Sequence, residues 1–415
     1  MTNLDYIPLV PLTGAFWSAS LALFIIAICG LVRYRNAFNP LLFFAINDGL
    51  FQTLISAWLA FSSLAYPAQD IANVLVLSTV YFFGTAVVFL PVRLVGVRVL
   101  IRHWLMRSKL MASQQIRGKR LQLLFIAITF VLVYLTLMVA SGAGFLWITN
   151  PRMAYQDFRA GSGFLFLLAQ WTLISGLLIY LFSRPQSLGS CLRALAFYIS
   201  TAYFTGSKGA MVSGLVLCGS FYNFYVRKIP VIWFLISILF CIPMMLALLV
   251  SQGSYLDVFE ALNYFKDYVA TSATFLSRFN EFGLSLGAAS LSDFWFYVPR
   301  LFYPDKPFEY GVTLIHQRLF PGMAELGHTP GISTWALAYL DFGTLGVFLS
   351  GILGGLVKRI LYESFLVRPY SIFAFVLMLQ LTLMPVYIYA NLPLSALIAF
   401  LLSWYLRKRI SVFSG

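Results

Sequence analysis

The chain has 415 residues, of which 60% are hydrophobic and only 10% charged, and its mean hydropathy is +0.86. That composition excludes a water-soluble globular domain, in which about a quarter of residues are charged, and points to a chain that crosses a membrane many times as helix. The net charge of +14 would suggest nucleic acid on a soluble surface, but here it must first be sorted by side of the membrane.

Residues 1–13 show neither a basic n-region nor a cleavage site, so the first span is expected to target the membrane by itself. About eleven apolar runs come near the ~20 residues that cross hydrocarbon. They centre on 15–32, 41–65, 71–91, 121–141, 163–182, 190–204, 208–226, 229–250, 331–356, 370–389 and 391–406. Residues 190–226 read either as two short spans broken at Thr205-Gly206-Ser207-Lys208-Gly209 or as one long interrupted span. The expectation is an all-α polytopic protein, residues 1–415 forming a single integral membrane domain.

The distribution of basic residues tests that count. With the N-terminus outside and the sides alternating, the inner connections hold 20 of the 28 Lys and Arg and one acid, Glu363. The outer side keeps 8 basic and 13 acidic residues, counting Asp48 and Asp341 within spans. The cluster from Arg93 to Arg120 is read as a topology anchor.

Two outer loops follow from this orientation. One, near 142–162, holds Arg152, Asp157 and Arg159; the other, 251–330, contains most of the acids. Leu256, Phe259, Leu262, Phe265 and Val269 recur at helical spacing at its start, which predicts an amphipathic helix lying at the membrane interface. Pro299, Pro304, Pro307, Pro321 and Pro330 keep later helices short.

Several chemistries are disfavoured by missing motifs. There is no phosphate-binding P-loop, no G-x-G-x-x-G opening a helix, no Asp-x-Asp pair and no G-x-S-x-G elbow. Cys29, Cys191, Cys218 and Cys241 lie in or beside apolar runs and read as small core hydrophobes rather than metal or redox groups.

The positive signal is a set of outward cations: Arg152, Arg159, Lys208, Arg278, Arg300, Lys306 and Arg318. Arg offers a planar fork to phosphate oxygens and Lys a point charge, so convergence of several at a membrane surface would suit a lipid-carried pyrophosphate. Lys208 sits at a glycine-flanked break between apolar runs, where a charge needs a partner or a cavity. His328, in GHTPG before the span at 331–356, reads as a general base, as a phosphate donor or as an ordinary loop histidine. Glu325 and Glu281 are rival bases, His316 reads as structural, and Asp341 is expected to pair with a cation. Asp48 has no evident partner, and Gly351 and Gly355 read as a helix-packing pair.

Four of these stretches also carry a resemblance. R-x-A-Y-x-x-x-R-x-G-x-G from Arg152, T-G-S-K-G-A from Thr205, V-P-R-L-F-Y-P-D-K-P from Val298, and H-T-P-G followed by Y-L-D-F-G-x-x-G resemble, in order, the Wzy-type O-antigen and capsule polymerases. The resemblance implies a GT-C-like helical fold in the bacterial inner membrane, with the N-terminus periplasmic, the C-terminus cytoplasmic and 251–330 as a periplasmic loop. It also implies transfer of undecaprenyl-pyrophosphate-linked oligosaccharide repeats without cofactor or metal. By that likeness Arg152 and Arg159 match first-loop arginines, Lys208 stands where arginine is commoner, and Arg300 and Lys306 match the P-R…D-K-P element. The expected catalytic set is His328, Glu325 and Arg300, with Arg152, Arg159, Lys208, Arg278 and Lys306 binding pyrophosphate and sugar. Partners are lipid-linked oligosaccharides and membrane lipids, with room for a chain-length regulator protein and none for nucleic acid. The related O-antigen ligases and a lipid-linked-sugar flippase are the alternatives; the spacing after His328 favours polymerase over ligase.

Overall fold

A computed structural model of the chain describes residues 11–90, 120–158, 162–182, 187–251, 258–298, 303–307, 309–322, 330–367, 369 and 371–379. Every regular element among the described residues is helical. Seven of the helices are long and apolar enough to cross a membrane: Leu12–Tyr34, Pro40–Ser62, Ala68–Phe89, Leu123–Ala140, Gly163–Phe182, Gly209–Val226 and Ala336–Val367. The chain thus has the architecture of a polytopic membrane protein, and seven of the eleven apolar runs are spans by length and composition. The runs at 190–204 and 229–250 form the helices Leu188–Tyr203 and Val231–Ser251. The run at 391–406 lies outside the described residues, as does most of 370–389, of which Ile372–Met378 is helical.

The chain divides into two compact units. The first comprises residues 1–99, 262–363 and 381–392; the second comprises 100–261, 364–380 and 393–415. In the first unit, α1 (Leu12–Tyr34), α2 (Pro40–Ser62) and α3 (Ala68–Phe89) enclose a core that includes Phe44, Ile71 and Phe82. The middle of α2, Ala45–Ile55, widens into π-helix, and Thr53 Oγ1 reaches back to the Asp48 carbonyl at 2.7 Å.

Unit two is built from α4 (Arg120–Ala140), α5 (Pro151–Asp157), α6 (Gly163–Phe182), α7 (Leu188–Tyr203), α8 (Lys208–Phe221) and α9 (Val231–Ser251). Residues 190–226 are therefore two helices. Gly206 takes a left-handed φ of +64°, and Ser207 caps α8 by accepting the Ala210 amide at 3.3 Å. Cys191 and Cys218 are buried in this unit, as small core hydrophobes should be, whereas Cys29 on α1 is exposed and Cys241 half-buried; all four are free thiols.

The first unit resumes at residue 262, within α10 (Val258–Ser277), and continues through α11 (Ala288–Ser292), α12 (Gly311–Leu319) and α13 (Ala336–Val367) as far as Glu363. The amphipathic periodicity of α10 is genuine, but Phe265 and Val269 of its expected apolar face are spent on protein; Leu256 lies outside the described residues. Val269, Ala273 and Phe275 are buried in the core, Phe265 meets Phe51 with ring centroids 5.6 Å apart, and Ser56 Oγ accepts the Val269 amide at 2.9 Å. Helix α13 breaks at Phe342 and Gly343, which leave helical geometry. Below the break it packs tightly on α3: a Cβ at Gly351 would lie 2.4 Å from the Tyr81 carbonyl oxygen, and one at Gly355 2.9 Å from that of Thr85. Those two glycines are the helix-packing pair their spacing implied. At the far end Glu363 binds both Arg33 (2.9 Å) and Arg359 (3.1 Å), joining α1 to α13.

Candidate functional site

The site begins with a backbone constraint in the second unit. Asn150 caps α5 by accepting the Met153 amide at 3.2 Å, and Pro151 occupies the first helical position. The first turn of α5 then presses on the turn between α7 and α8 so closely that a Cβ at Gly206 would fall 2.1 Å from the Pro151 carbonyl oxygen. Tyr134 strengthens the junction from α4, its hydroxyl donating to the Phe204 carbonyl at 2.8 Å.

Arg152 is locked into that junction. Its side chain is only 5% exposed; Nη1 donates to the Gly206 carbonyl at 3.2 Å, and the guanidinium lies 5.1 Å from the Tyr155 ring centroid. Its Nε is buried without an acceptor. No carboxylate among the described residues pairs with it. Two residues beyond the carbonyl it holds, α8 begins. Ser207 satisfies the Ala210 amide, and the amides ahead of it point out of the helix end, where the helix dipole is positive. A buried guanidinium beside a helix N-terminus is a concentration of positive charge, here with no carboxylate counter-ion among the described residues, and such a charge is costly until an anion meets it. The backbone of Lys208 opens α8, which puts it at this same end.

The first unit holds the other described members of the expected outward set, Arg278, Lys306 and Arg318, and each has a partner. Arg278, on the surface, is bound by Glu281 in a two-pronged pair, Nε to Oε1 at 2.9 Å and Nη2 to Oε2 at 2.6 Å. That hydrogen bond holds the Glu281 carboxyl below its usual range and makes it a weak base, so Glu281 loses ground as a proton acceptor and Arg278 as a phosphate ligand. Lys306 is buried with Nζ 4.4 Å from the Tyr310 ring centroid, Arg318 lies over Phe282 at 5.4 Å, and His316 is buried. Arg159, Arg300, Glu325 and His328 lie outside the described residues. Arg152 and Lys208 belong to the second unit, Arg278 and Lys306 to the first.

Asp341 departs from the sequence reading. It pairs with no cation among the described residues. Instead, at 1% exposure, it accepts from Ser285 Oγ, the Gly287 and Ala289 amides, and the Ser290 amide and hydroxyl. The carboxylate is a clasp between the break in α13 and the start of α11. Asp48 also acquires partners, Thr334 Oγ1 at 3.1 Å and Asn47 Nδ2 at 3.2 Å.

Sequence reasoning missed Asp293. This half-buried carboxyl follows α11, and its Oδ1 would be only 1.5 Å from a Cβ at Gly311, whose φ is +51°. Burial, reinforced by the charge of Asp341, pushes it up to about 6, close to neutrality and suited to proton exchange. Nothing in its local sequence announces burial, which arises from the packing of α11 on α12. A carboxyl whose folded value is raised destabilises the fold once it ionises. Asp293→Asn is therefore expected to raise the melting temperature at pH 8, with the gain fading as pH falls through 6 toward 4; a gain constant with pH would contradict this.

The chain matches no family model, no curated protein and no solved structure.

Proposed function

We propose that this chain polymerises undecaprenyl-pyrophosphate-linked oligosaccharide repeat units by glycosyl transfer on the periplasmic side of a bacterial inner membrane. The scaffold would be GT-C-like with about eleven spans, the N-terminus periplasmic and the C-terminus cytoplasmic. The observation that carries the reading is Arg152, buried beside the N-terminus of α8 and without a carboxylate partner among the described residues. The substrate class follows from the charge: a pyrophosphate on a lipid brings both the anion and the apolar tail that a membrane-embedded chain would select.

In the proposed reaction a sugar hydroxyl of one lipid-linked repeat attacks the anomeric carbon of the growing chain. The bond from that carbon to the pyrophosphate oxygen breaks, a new glycosidic bond forms, and the hydroxyl proton passes to a protein base. Charge builds on the departing undecaprenyl pyrophosphate, so fixed Arg and Lys donors would be the main catalysts, without a metal ion. Arg152, Arg159 and Lys208 would receive that charge. His328 and Glu325 remain the proposed proton acceptors.

One feature favours a second reading. The break in α13 at Phe342 and Gly343 is the sort of discontinuity from which transporters build midplane sites. Purified protein in liposomes with a lipid-linked repeat and EDTA separates the two readings. Polymerisation gives a ladder of longer glycans and one lipid pyrophosphate released per bond formed. Unchanged substrate appearing on the opposite leaflet, with no ladder, would overturn the proposal in favour of a flippase.

A further inference from the structure

The segment from Gly283 to Ser292, GLSLGAASLS, has no charged residue, and it is built inside out. Its polar side chains turn inward. Ser285 Oγ and Ser290 Oγ donate to the buried Asp341 carboxylate, while Ser292 Oγ donates to the Ala289 carbonyl at 2.6 Å and accepts the Gly311 amide at 2.7 Å. Its large apolar side chains turn outward: Leu286 is 74% exposed and Leu291 79%, with Phe294 just beyond at 65%. A loop facing water would place these groups the other way round, and an apolar cluster of this kind marks a contact surface.

The crest is also rigid. The Ser285 amide donates to the Leu340 carbonyl at 3.0 Å, the Leu286 amide to that of Asp341 at 3.1 Å, and the Gly287 amide to Asp341 Oδ1 at 3.1 Å. Three consecutive amides are thus fastened to the break in α13. Leu286 is held at φ +50°, a region that leucine rarely enters, so the fold maintains this outward leucine against its own backbone preference.

Continuity identifies what covers it. Gly287 abuts the Phe342 ring, a Cβ there lying 3.3 Å from Phe342 Cζ. From Phe342 the exposed apolar face runs on through Leu345 and Leu349, at helical spacing along a candidate span. The crest and that flank form one apolar surface, and the occupant the flank of a span meets is bilayer hydrocarbon.

We propose that Leu286, Leu291 and Phe294 insert into the acyl region of the adjacent leaflet, seating the 284–294 crest in the membrane as a wedge beside the break in α13. Sequence periodicity had assigned interfacial contact to α10; the crest takes that role, and the assignment does not rest on the polymerase reading. The expected depth is ~5–10 Å below the headgroups.

The test uses the full chain in lipid nanodiscs, with Cys29 and Cys241 replaced by alanine. Single cysteines, Leu286→Cys and Leu291→Cys, carry an environment-sensitive NBD label, and Glu281→Cys serves as the aqueous reference. Both leucine positions are surface sites that tolerate substitution, and either alone suffices if the other misfolds. The expected result is blue-shifted emission at the crest, quenched several-fold more strongly by lipids brominated on their acyl chains than at the reference, and slow reaction of the unlabelled thiol with a membrane-impermeant maleimide. Water-like emission with full maleimide reaction would overturn the proposal. So would shielding that bromolipids do not quench and that appears only when two copies share a disc, since that would assign the crest to a second chain.

Discussion

Replacing Arg152 with alanine is expected to reduce glycan polymerisation by ~10²–10³-fold, the usual loss when one fixed donor to a developing negative charge is removed. The chain should stay folded, because the guanidinium contributes one neutral hydrogen bond and a ring contact to the junction, and its Nε has no acceptor to lose. Arg152→Lys should recover only part of the rate, since an ammonium keeps the charge but cannot hold the Gly206 carbonyl and grip a phosphate in one plane. Gly206→Ala should be nearly as damaging with Arg152 intact. The added methyl meets the Pro151 carbonyl at 2.1 Å and the residue needs a positive φ, so the turn that aligns Arg152 with the end of α8 must shift. Initial rates in proteoliposomes at matched protein, with melting temperatures as a control, check all three. An Arg152→Ala variant within about threefold of the parent would remove the residue from the proposed chemistry, because a full charge contact is worth far more.

The second large effect concerns stability. Asp341→Ala leaves the Ser285 hydroxyl, the Gly287 and Ala289 amides, and the Ser290 amide and hydroxyl without their acceptor. Each buried donor left unmet costs about 1–3 kcal/mol. Serine hydroxyls can turn elsewhere and amides cannot, so a total loss of ~3–5 kcal/mol is expected, as for other buried charges whose partners are orphaned. Asparagine should rescue little, because its NH₂ group would face donors on one side of the clasp. Unfolding in detergent measures the loss, and protease sensitivity concentrated at 283–292 locates it. A loss under about 1 kcal/mol would mean that the clasp is dispensable.

What the sequence could show followed from what each signal depends on. Hydropathy and length are local, so seven spans were legible, and so were the packing roles of Gly351 and Gly355. The 190–226 stretch stayed ambiguous because hydropathy cannot see a capped break; Gly206 with Ser207 carried that signal, and its decisive term, the approach to Pro151, is tertiary. Helical spacing identified the buried face of α10 but not what covers it, since membrane and protein select the same residues. Charged residues were visible and their partners were not. Arg278 looked available yet is held by Glu281, and Asp341 looked like half of an ion pair yet is met by amides and hydroxyls. The break in α13 at Phe342-Gly343 left only a single glycine as its trace, within a run that otherwise reads as continuous helix. Arg152 was picked out for its residue type, and its burial without a carboxylate partner among the described residues became evident only once the turn around it was in place.

The most direct test of the account is anion binding at Arg152, because every functional step above requires it. Detergent-purified full-length protein is titrated with inorganic pyrophosphate by calorimetry, alongside Arg152→Gln, which retains a polar side chain of similar reach. The account predicts saturable binding to the parent protein, weakened at least tenfold in the variant, a difference of about 1.4 kcal/mol. Equal binding by the two proteins, or none by the parent, would contradict the claim that the buried guanidinium at the start of α8 awaits a phosphate.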